Sequence, residues 1–290
     1  MVSRNGYAGE SSKENIMNIT GRTKITGLYG YPVEHTLSPL MHNAAFEYLG
    51  IDYCYLPFSV HPDSLKHAVE AIRALNLTGV NVTIPHKEAV IPCLDSVNEE
   101  ALFIGAVNTI VNQEGKLTGY NTDGRGFMRS LSENNISADN KKVLIVGAGG
   151  ASRAISYYLS EKADTLYLFD TDKIKLEKLA SDLSGVRDNI TILHHTADLS
   201  AFDVLINATP LGLKATDPLP LDVSALADHQ TVCDLIYKTT HLQSLALQKG
   251  CKTINGLGML LWQGVLAFEL WTRTLPPVEI MRNALISGMK

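Results

Sequence analysis

The sequence predicts an α/β protein of two domains, and three observations carry that prediction. The second half alternates short β-rich runs with helical patterns from Val143 to Ile254. Within it, Val143 to Ile155 (VLIVGAGGASRAI) runs four apolar residues straight into Gly147-Ala148-Gly149-Gly150 and on into a helix-compatible stretch. Two apolar helical stretches, Gly256–Trp271 and Pro277–Ile286, close the chain with no strand after them. They are expected to pack back against the first half, which is then discontinuous in sequence.

At 290 residues the chain suits about two domains. It is 45% hydrophobic and 19% charged, and its net charge of −5 comes from 30 acidic against 25 basic residues. No basic stripe is visible, so nucleic acid is not an expected partner. No apolar run approaches the ~18 residues that cross a bilayer. Residues 1–23 are polar with no apolar centre, unlike a signal peptide. They read as a disordered tail, with Met17 as an alternative start. The cysteines at 54, 93, 233 and 251 form no C-x-x-C pair. Reduced thiols in a cytoplasmic protein are the simplest reading.

The elements follow in order from local pattern. Ile25 to Tyr29 is a short β-rich run ending at Gly30. Ser38-Pro39 starts a helix, with Ser38 as N-cap and Pro39 at the first helical position, and Gly50 ends it. Alternation over 53–58 gives a second strand, and Leu65, Val69 and Ile72 recur at helical spacing over 63–75. Val80–Ile84 is a third strand, ending at Pro85-His86-Lys87 in what reads as a strand-to-helix junction. Residues 97–104 look helical. Two β runs, 107–111 and 116–120, flank Gln113-Glu114-Gly115 as a hairpin. Asn121 to Gly124 closes this half, and a helix begins around Phe127. In the second half, strands at 143–146, 165–169, 190–193, 203–207, 231–236 and 252–254 alternate with helices at 152–161, 173–183 and 241–248. Such alternation indicates parallel βαβ units.

A buried strand, a tight glycine turn and a helix N-terminus form the arrangement that holds a dinucleotide pyrophosphate. Gly147, Ala148, Gly149, Gly150 and Ala151 supply the turn, and Ser152 replaces the third glycine of G-x-G-x-x-G. The next strand ends at Asp170, close to the spacing expected of an acid that accepts hydrogen bonds from the ribose hydroxyls. Asp170 could equally cap helix 173–183. Asn207-Ala208-Thr209-Pro210 follows another strand, where ligands sit in a doubly wound sheet, although spacing alone suits an ordinary polar turn.

Three polar constellations lie outside this unit: His35 to Asn43, Asn81 to Lys87, and Gly105 to Thr109 with Asn121 to Asp123. With the glycine turn, Asn207 to Pro210, Asp234 to Tyr237 and Asn255 to Gln263, they make seven motifs in one order over about 24–290. In these the sequence resembles the shikimate dehydrogenase family. The resemblance implies NAD(P)-linked interconversion of 3-dehydroshikimate and shikimate. It implies an N-terminal α/β substrate domain, completed by the C-terminal helices (24–123 plus 257–290), and a Rossmann dinucleotide-binding domain (124–256). By position it makes Lys87 and Asp123 the catalytic pair. It makes Thr36, Ser38, Asn81, Thr83, Asn108, Tyr237 and Gln263 substrate contacts, and adds Thr209 and Gly258 to the cofactor contacts.

The chemistry supports those residue types. An alkoxide left by hydride delivery needs a proton, which an ammonium can supply. A helix N-terminus beside Lys87 would lower its pKa, and Asp123 would do the opposite. A polyhydroxy acid needs hydroxyl and amide partners, because an unpaired polar group in a desolvated cleft costs ~1–3 kcal/mol. Ser38 can serve both as cap and contact, and Gln263 can instead make a helix–helix hydrogen bond. His35, His42 and His86 match no compact metal spacing, so no metal is expected. His194-His195 is expected at the surface.

Two positions depart from the family. Thr36 stands where serine is usual, which narrows the pocket and opens the choice between shikimate and quinate. Asp170-Thr171-Asp172 stands where NADP-using members carry Asn-Arg-Thr, and acids there repel a 2′-phosphate by up to several kcal/mol. The expectation is therefore NAD over NADP. The alternatives are an NAD-dependent quinate/shikimate dehydrogenase and a non-catalytic dinucleotide or metabolite sensor. The expected partners are small molecules alone, with no nucleic acid or membrane, in a monomer or homodimer.

Overall fold

The computed structural model describes residues 19–195 and 198–289. The expectations for most of the N-terminal tail and for Met17 lie outside them. Two six-stranded sheets organise the chain; the second holds the six strands that the alternation predicts, and the first holds one more than the five expected.

The first sheet opens with β1 (Lys24–Gly30), α1 (Ser38–Leu49) and β2 (Tyr53–Ser59), followed by α2 (Leu65–Ala74) and β3 (Gly79–Val82). Strands β2 and β3 flank β1 and run parallel to it. After β4 (Ser96–Val97) and α3 (Glu99–Ile104) comes the hairpin of β5 (Thr109–Gln113) and β6 (Lys116–Tyr120). Its turn residues Glu114 and Gly115 both have positive φ, as a two-residue hairpin turn requires. Strand β5 pairs antiparallel to β3, and the short β4 extends the edge beyond β6.

The second sheet follows α4 (Asp123–Glu133). It contains β7 (Lys142–Val146), α5 (Gly150–Leu159), β8 (Thr165–Phe169), α6 (Lys173–Ser184) and β9 (Ile190–Ile192). It continues with β10 (Val204–Asn207), β11 (Thr231–Asp234), α7 (His241–Gln248) and β12 (Lys252–Ile254). All pairings are parallel, in the order β12-β11-β10-β7-β8-β9. The chain steps outward from β7 to β9, then restarts at β10 on the other side. That reversal leaves a crevice beyond the carboxyl ends of β7 and β10, where such sheets bind ligands.

The last two helices, α8 (Leu257–Thr272) and α9 (Val278–Gly288), pack on the first half. Leu261, Val265, Phe268, Met281 and Leu285 share a core with Met41 and Phe46 of α1. The Trp271 indole donates to the Ile110 carbonyl of β5 at 3.0 Å. Helix α4 crosses α8 through small residues. A Cβ on Gly126 would lie 2.7 Å from the Gln263 nitrogen, and one on Gly258 would lie 2.2 Å from Ser130 Oγ. Burial of these apolar faces is the main force holding α8 in place.

Three local expectations are corrected. Ser38 is the first residue of α1 rather than its cap, and its side chain makes no capping bond. The Thr36 hydroxyl, two residues earlier, accepts from the Ser38 N–H at 3.3 Å. No α-helix follows Lys87: residues 84–90 are turns, then a 3₁₀ turn spans Ile91–Cys93. Pro92 lacks an amide donor, and the Lys87 carbonyl accepts from Val107 N–H at 2.8 Å instead of from a helical turn. Finally, α4 begins at Asp123, four residues before the expected start.

Candidate active site

Lys87 and Asp123, 36 residues apart in sequence, meet. The turn after β3 carries Lys87, and the first turn of α4 carries Asp123. Lys87 Nζ donates to Asp123 Oδ2 at 2.5 Å. Their side chains are 16% and 6% exposed, so the pair is largely shielded and the lysine is the more accessible of the two. The second Asp123 oxygen accepts from Asn108 Nδ2 at 2.9 Å. Asn121 Oδ1 accepts from the Asp123 N–H at 3.0 Å and fixes the start of α4. A helix N-terminus favours negative charge, so α4 supports the carboxylate that holds the ammonium.

The glycine turn lies beside this pair. Gly147 adopts φ +112°, a conformation that strains any side chain, and a Cβ there would lie 2.9 Å from the Ala208 oxygen. Gly147 N–H donates to Phe169 O at 2.8 Å, tying the turn to the end of β8. Gly149 caps α5 with nothing within 4 Å of where its Cβ would stand, and no side chain caps that helix. An open turn with free helix N–H groups fits a pyrophosphate. A Cβ on Gly150 would lie 3.5 Å from Lys87 Cδ. The start of α5 therefore touches the lysine, and a nucleotide on the turn would face the Lys87–Asp123 pair.

The family-model match covers residues 28–110 as the shikimate dehydrogenase substrate-binding domain and 256–286 as the shikimate 5′-dehydrogenase C-terminal domain. A shikimate dehydrogenase (NADP+) of Desulforamulus reducens is 46% identical over 92% of this chain and 96% of its own. The chain belongs to the shikimate dehydrogenase family. A solved shikimate dehydrogenase in complex with NADP+ superposes with a TM-score of 0.89 at 39% identity, covering 94% of this chain and 98% of that one. The Listeria monocytogenes shikimate 5-dehydrogenase, in complex with shikimate and NAD, gives 0.84 at 38%, covering 91% and 97%. A quinate dehydrogenase of Corynebacterium glutamicum in complex with NAD gives 0.85 at 33%, covering 91% and 99%.

Seen as a shikimate dehydrogenase family site, the expected contacts divide into open and occupied groups. Thr83, at the end of β3, lies half-buried with its methyl against Gly30. Tyr237 follows β11, and its hydroxyl reaches across to the His35 carbonyl at 3.3 Å. The buried Asp234 holds that loop by accepting from Ile236 N–H, Asn207 Nδ2 and Thr240 Oγ1. Burial pushes the Asp234 carboxyl above the usual carboxylate range, while its three donors oppose that rise. Asn81 and Asn108 are buried with their amides fully engaged by protein partners. Gln263 donates to Leu260 O at 2.8 Å within its own helix, not across helices.

The cofactor residues divide similarly. Ala148 N–H donates to Asp170 Oδ2 at 2.6 Å, so this carboxylate stands at the edge of the turn. Asp172, not Asp170, caps α6 by accepting from Lys175 N–H at 3.2 Å. Ser152 is fully buried beneath the turn, where its hydroxyl donates to Gly147 O at 2.5 Å. Ser152 thus braces the turn from below, and the open face belongs to Gly149 and its neighbours. Thr209 donates to Asn207 Oδ1 at 2.7 Å beside β10. Gly258 is turned toward α4, as above. Gly256 is the glycine that meets the end of β11, donating to Ile236 O, with a Cβ position 2.0 Å from Leu235 O.

The three histidines are dispersed. His86 bonds to the Val60 carbonyl, and His42 is stacked on Tyr55 within the α1–α8 core. His194 and His195 are exposed, as expected. The sequence places Thr109 and Asn121 in a polar constellation but gives neither of them, nor Tyr55, a role of its own. The Asn-Thr-Asp-Gly pattern of 121–124 carries a helix-start signal that could have placed Asn121 and Asp123 together.

Proposed function

We propose that this chain catalyses the reversible NAD(P)H-dependent reduction of 3-dehydroshikimate to shikimate. The observation that carries the reading is the Lys87–Asp123 pair packed against Gly150 at the start of the nucleotide helix. The dinucleotide, when bound, supplies the hydride to the carbonyl carbon. The Lys87 ammonium gives its proton to the oxygen as the C=O becomes C–OH, and the neutral amine regains a proton from solvent at its exposed edge. In the reverse direction the amine takes the hydroxyl proton. Asp123 keeps Nζ aimed into the cleft, and Asn108 holds Asp123.

The substrate domain is assigned to residues 24–123 with 257–290 and the cofactor domain to 124–256. The substrate lies against Thr36, Ser38, Thr83 and Tyr237, with Asn81, Asn108 and Gln263 lining the same pocket. The same reading takes the protein to be cytoplasmic, with its four cysteines as free thiols. NAD is preferred over NADP, because Asp170 stands at the turn edge and Asp172 lies two residues on. Hydrogen bonding to the Lys175 N–H holds the Asp172 carboxyl below its ordinary range, so it is charged at neutral pH. A second reading, an NAD-linked quinate/shikimate dehydrogenase, rests on the same acids and on Thr36.

Steady-state kinetics of wild type and Lys87→Ala with shikimate and quinate, each with NAD+ and NADP+, tests these readings. Wild type should form NAD(P)H from shikimate, with kcat lower by about 10²–10⁴ in Lys87→Ala. A wild type that binds the dinucleotide but turns over neither substrate is a sensor instead. Unchanged kcat in Lys87→Ala removes the proton-transfer role. A strong NADP+ preference overturns the charge argument. Otherwise Asp170→Asn with Thr171→Arg should raise NADP+ use.

A further inference from the structure

A line of buried hydrogen bonds runs from Tyr55 to the Lys87–Asp123 pair. Tyr55 Oη donates to Asn81 Oδ1 at 2.8 Å. Asn81 Nδ2 donates to Thr109 Oγ1 at 3.0 Å, and Thr109 Oγ1 donates to Asn108 Oδ1 at 3.0 Å. Asn108 Nδ2 then reaches Asp123 Oδ1, whose other oxygen holds Lys87. Tyr55 and Thr109 are fully buried, and both asparagines are nearly so.

Amide groups can be built in either of two orientations, but here one donor decides every direction. The Thr122 backbone N–H can only donate, and it points at Asn108 Oδ1 from 2.8 Å. The Asn108 NH₂ must therefore face Asp123. Thr109 has one proton, and it goes to Asn108 Oδ1, so its lone pair must accept from Asn81. Asn81 Oδ1 is left to take the Tyr55 proton. All donors point the same way and the line ends on a carboxylate, so each bond polarises the next and strengthens the last.

We propose that Thr109 and Tyr55 are positioning residues for catalysis: both are fully buried, and with the Thr122 N–H they hold Asn81 and Asn108 in the single orientation that turns an N–H toward Asp123. The proposal rests on the dehydrogenase reading only for the assignment of Asp123 as the holder of the proton donor. Thr109→Val keeps the shape and removes the hydroxyl; Thr109→Ser restores it. Tyr55→Phe removes the phenol oxygen and keeps the ring stacked on His42.

Two measurements test it. In the apo protein, ¹³C-carboxyl NMR follows the titration of Asp123, with Asp123→Asn to assign the signal. Thr109→Val should move the midpoint upward by about half a pH unit, since a weaker donor stabilises the charged form less, and Thr109→Ser should return it. In turnover, Thr109→Val should lower kcat/KM for shikimate by about tenfold, the scale of one hydrogen bond in free energy. Tyr55→Phe should change both readouts in the same direction and by less. A Thr109→Val protein with lowered Tm but unchanged Asp123 titration has a hydroxyl that only stabilises the fold, and the proposal falls. If Thr109→Val does not fold, an unmoved Asp123 midpoint in Tyr55→Phe has the same consequence. Should wild type leave shikimate untouched, the functional reading fails, while the apo titration still decides the positioning role.

Discussion

His42 makes the stability of the substrate half acutely pH-dependent. It is completely buried, stacked on Tyr55 at 4.4 Å, and bordered by Phe46, Phe268 and Trp271. Neither ring nitrogen has a hydrogen-bond partner among the described residues. Burial lowers its pKa from 6.5 to about 3. The unfolded chain binds a proton below pH 6.5 that the folded chain refuses until about pH 3, so stability falls as pH drops through that window. Each pH unit inside it is worth about 1.4 kcal/mol, so pH 5 should cost about 2 kcal/mol relative to pH 7 through this one group. The assay is urea unfolding at the two pH values for wild type and His42→Leu, followed by fluorescence of Trp271 and Trp262. Other groups titrate alike in both proteins, so the difference in slope isolates His42. The variant should lose about 2 kcal/mol less between pH 7 and pH 5, whatever its absolute stability. Equal losses would mean that the folded state accommodates the imidazolium, and the account of a dry, neutral ring would be wrong.

Two further outcomes follow from close contacts. Ser152→Ala removes the hydroxyl that braces Gly147 O. It should weaken NAD+ binding in calorimetry by about fivefold, on the scale of one hydrogen bond, with little change in KM for shikimate; unaltered affinity means the turn holds itself. Gly256→Ala places a methyl against the Leu235 carbonyl, and thermal unfolding should report a loss of about 1–3 kcal/mol from overpacking. An unchanged Tm would show that the start of α8 can move away from β11.

Much of the fold is legible locally. The apolar run before Gly147 announces a buried strand, and the glycine after it suits a turn at positive φ with the Ala208 backbone close by. The heptad-free apolar length of 256–271 requires cover on many sides, which α1 and α4 provide. The site is legible less evenly. Lys87 and Asp123 are common surface residue types, and only the joint pattern of motifs singled them out. Ser38 looks like a cap, because serine before proline usually is one, yet the helix already includes it and the Thr36 hydroxyl accepts from its N–H. Gly258 and Gly256 are interchangeable in a pattern of glycines; which one meets β11 and which one meets α4 depends on how α8 is rotated against its neighbours.

The sequence by itself determined the alternating α/β plan, the glycine turn with its acid at Asp170, and the residue types available for proton transfer. Those features depend on periodicity and backbone conformation within a few residues. Tertiary structure alone decided which groups touch. It put Lys87 on a turn instead of a helix, because a long-range bond from Val107 claimed its carbonyl. It gave Asp123 the helix N-terminus, and it set the start of α5 against the lysine side chain. It also joined Tyr55 to Asn81 across β1. Contacts between strands and helices distant in sequence depend on sheet order and packing angle, and no local pattern encodes them.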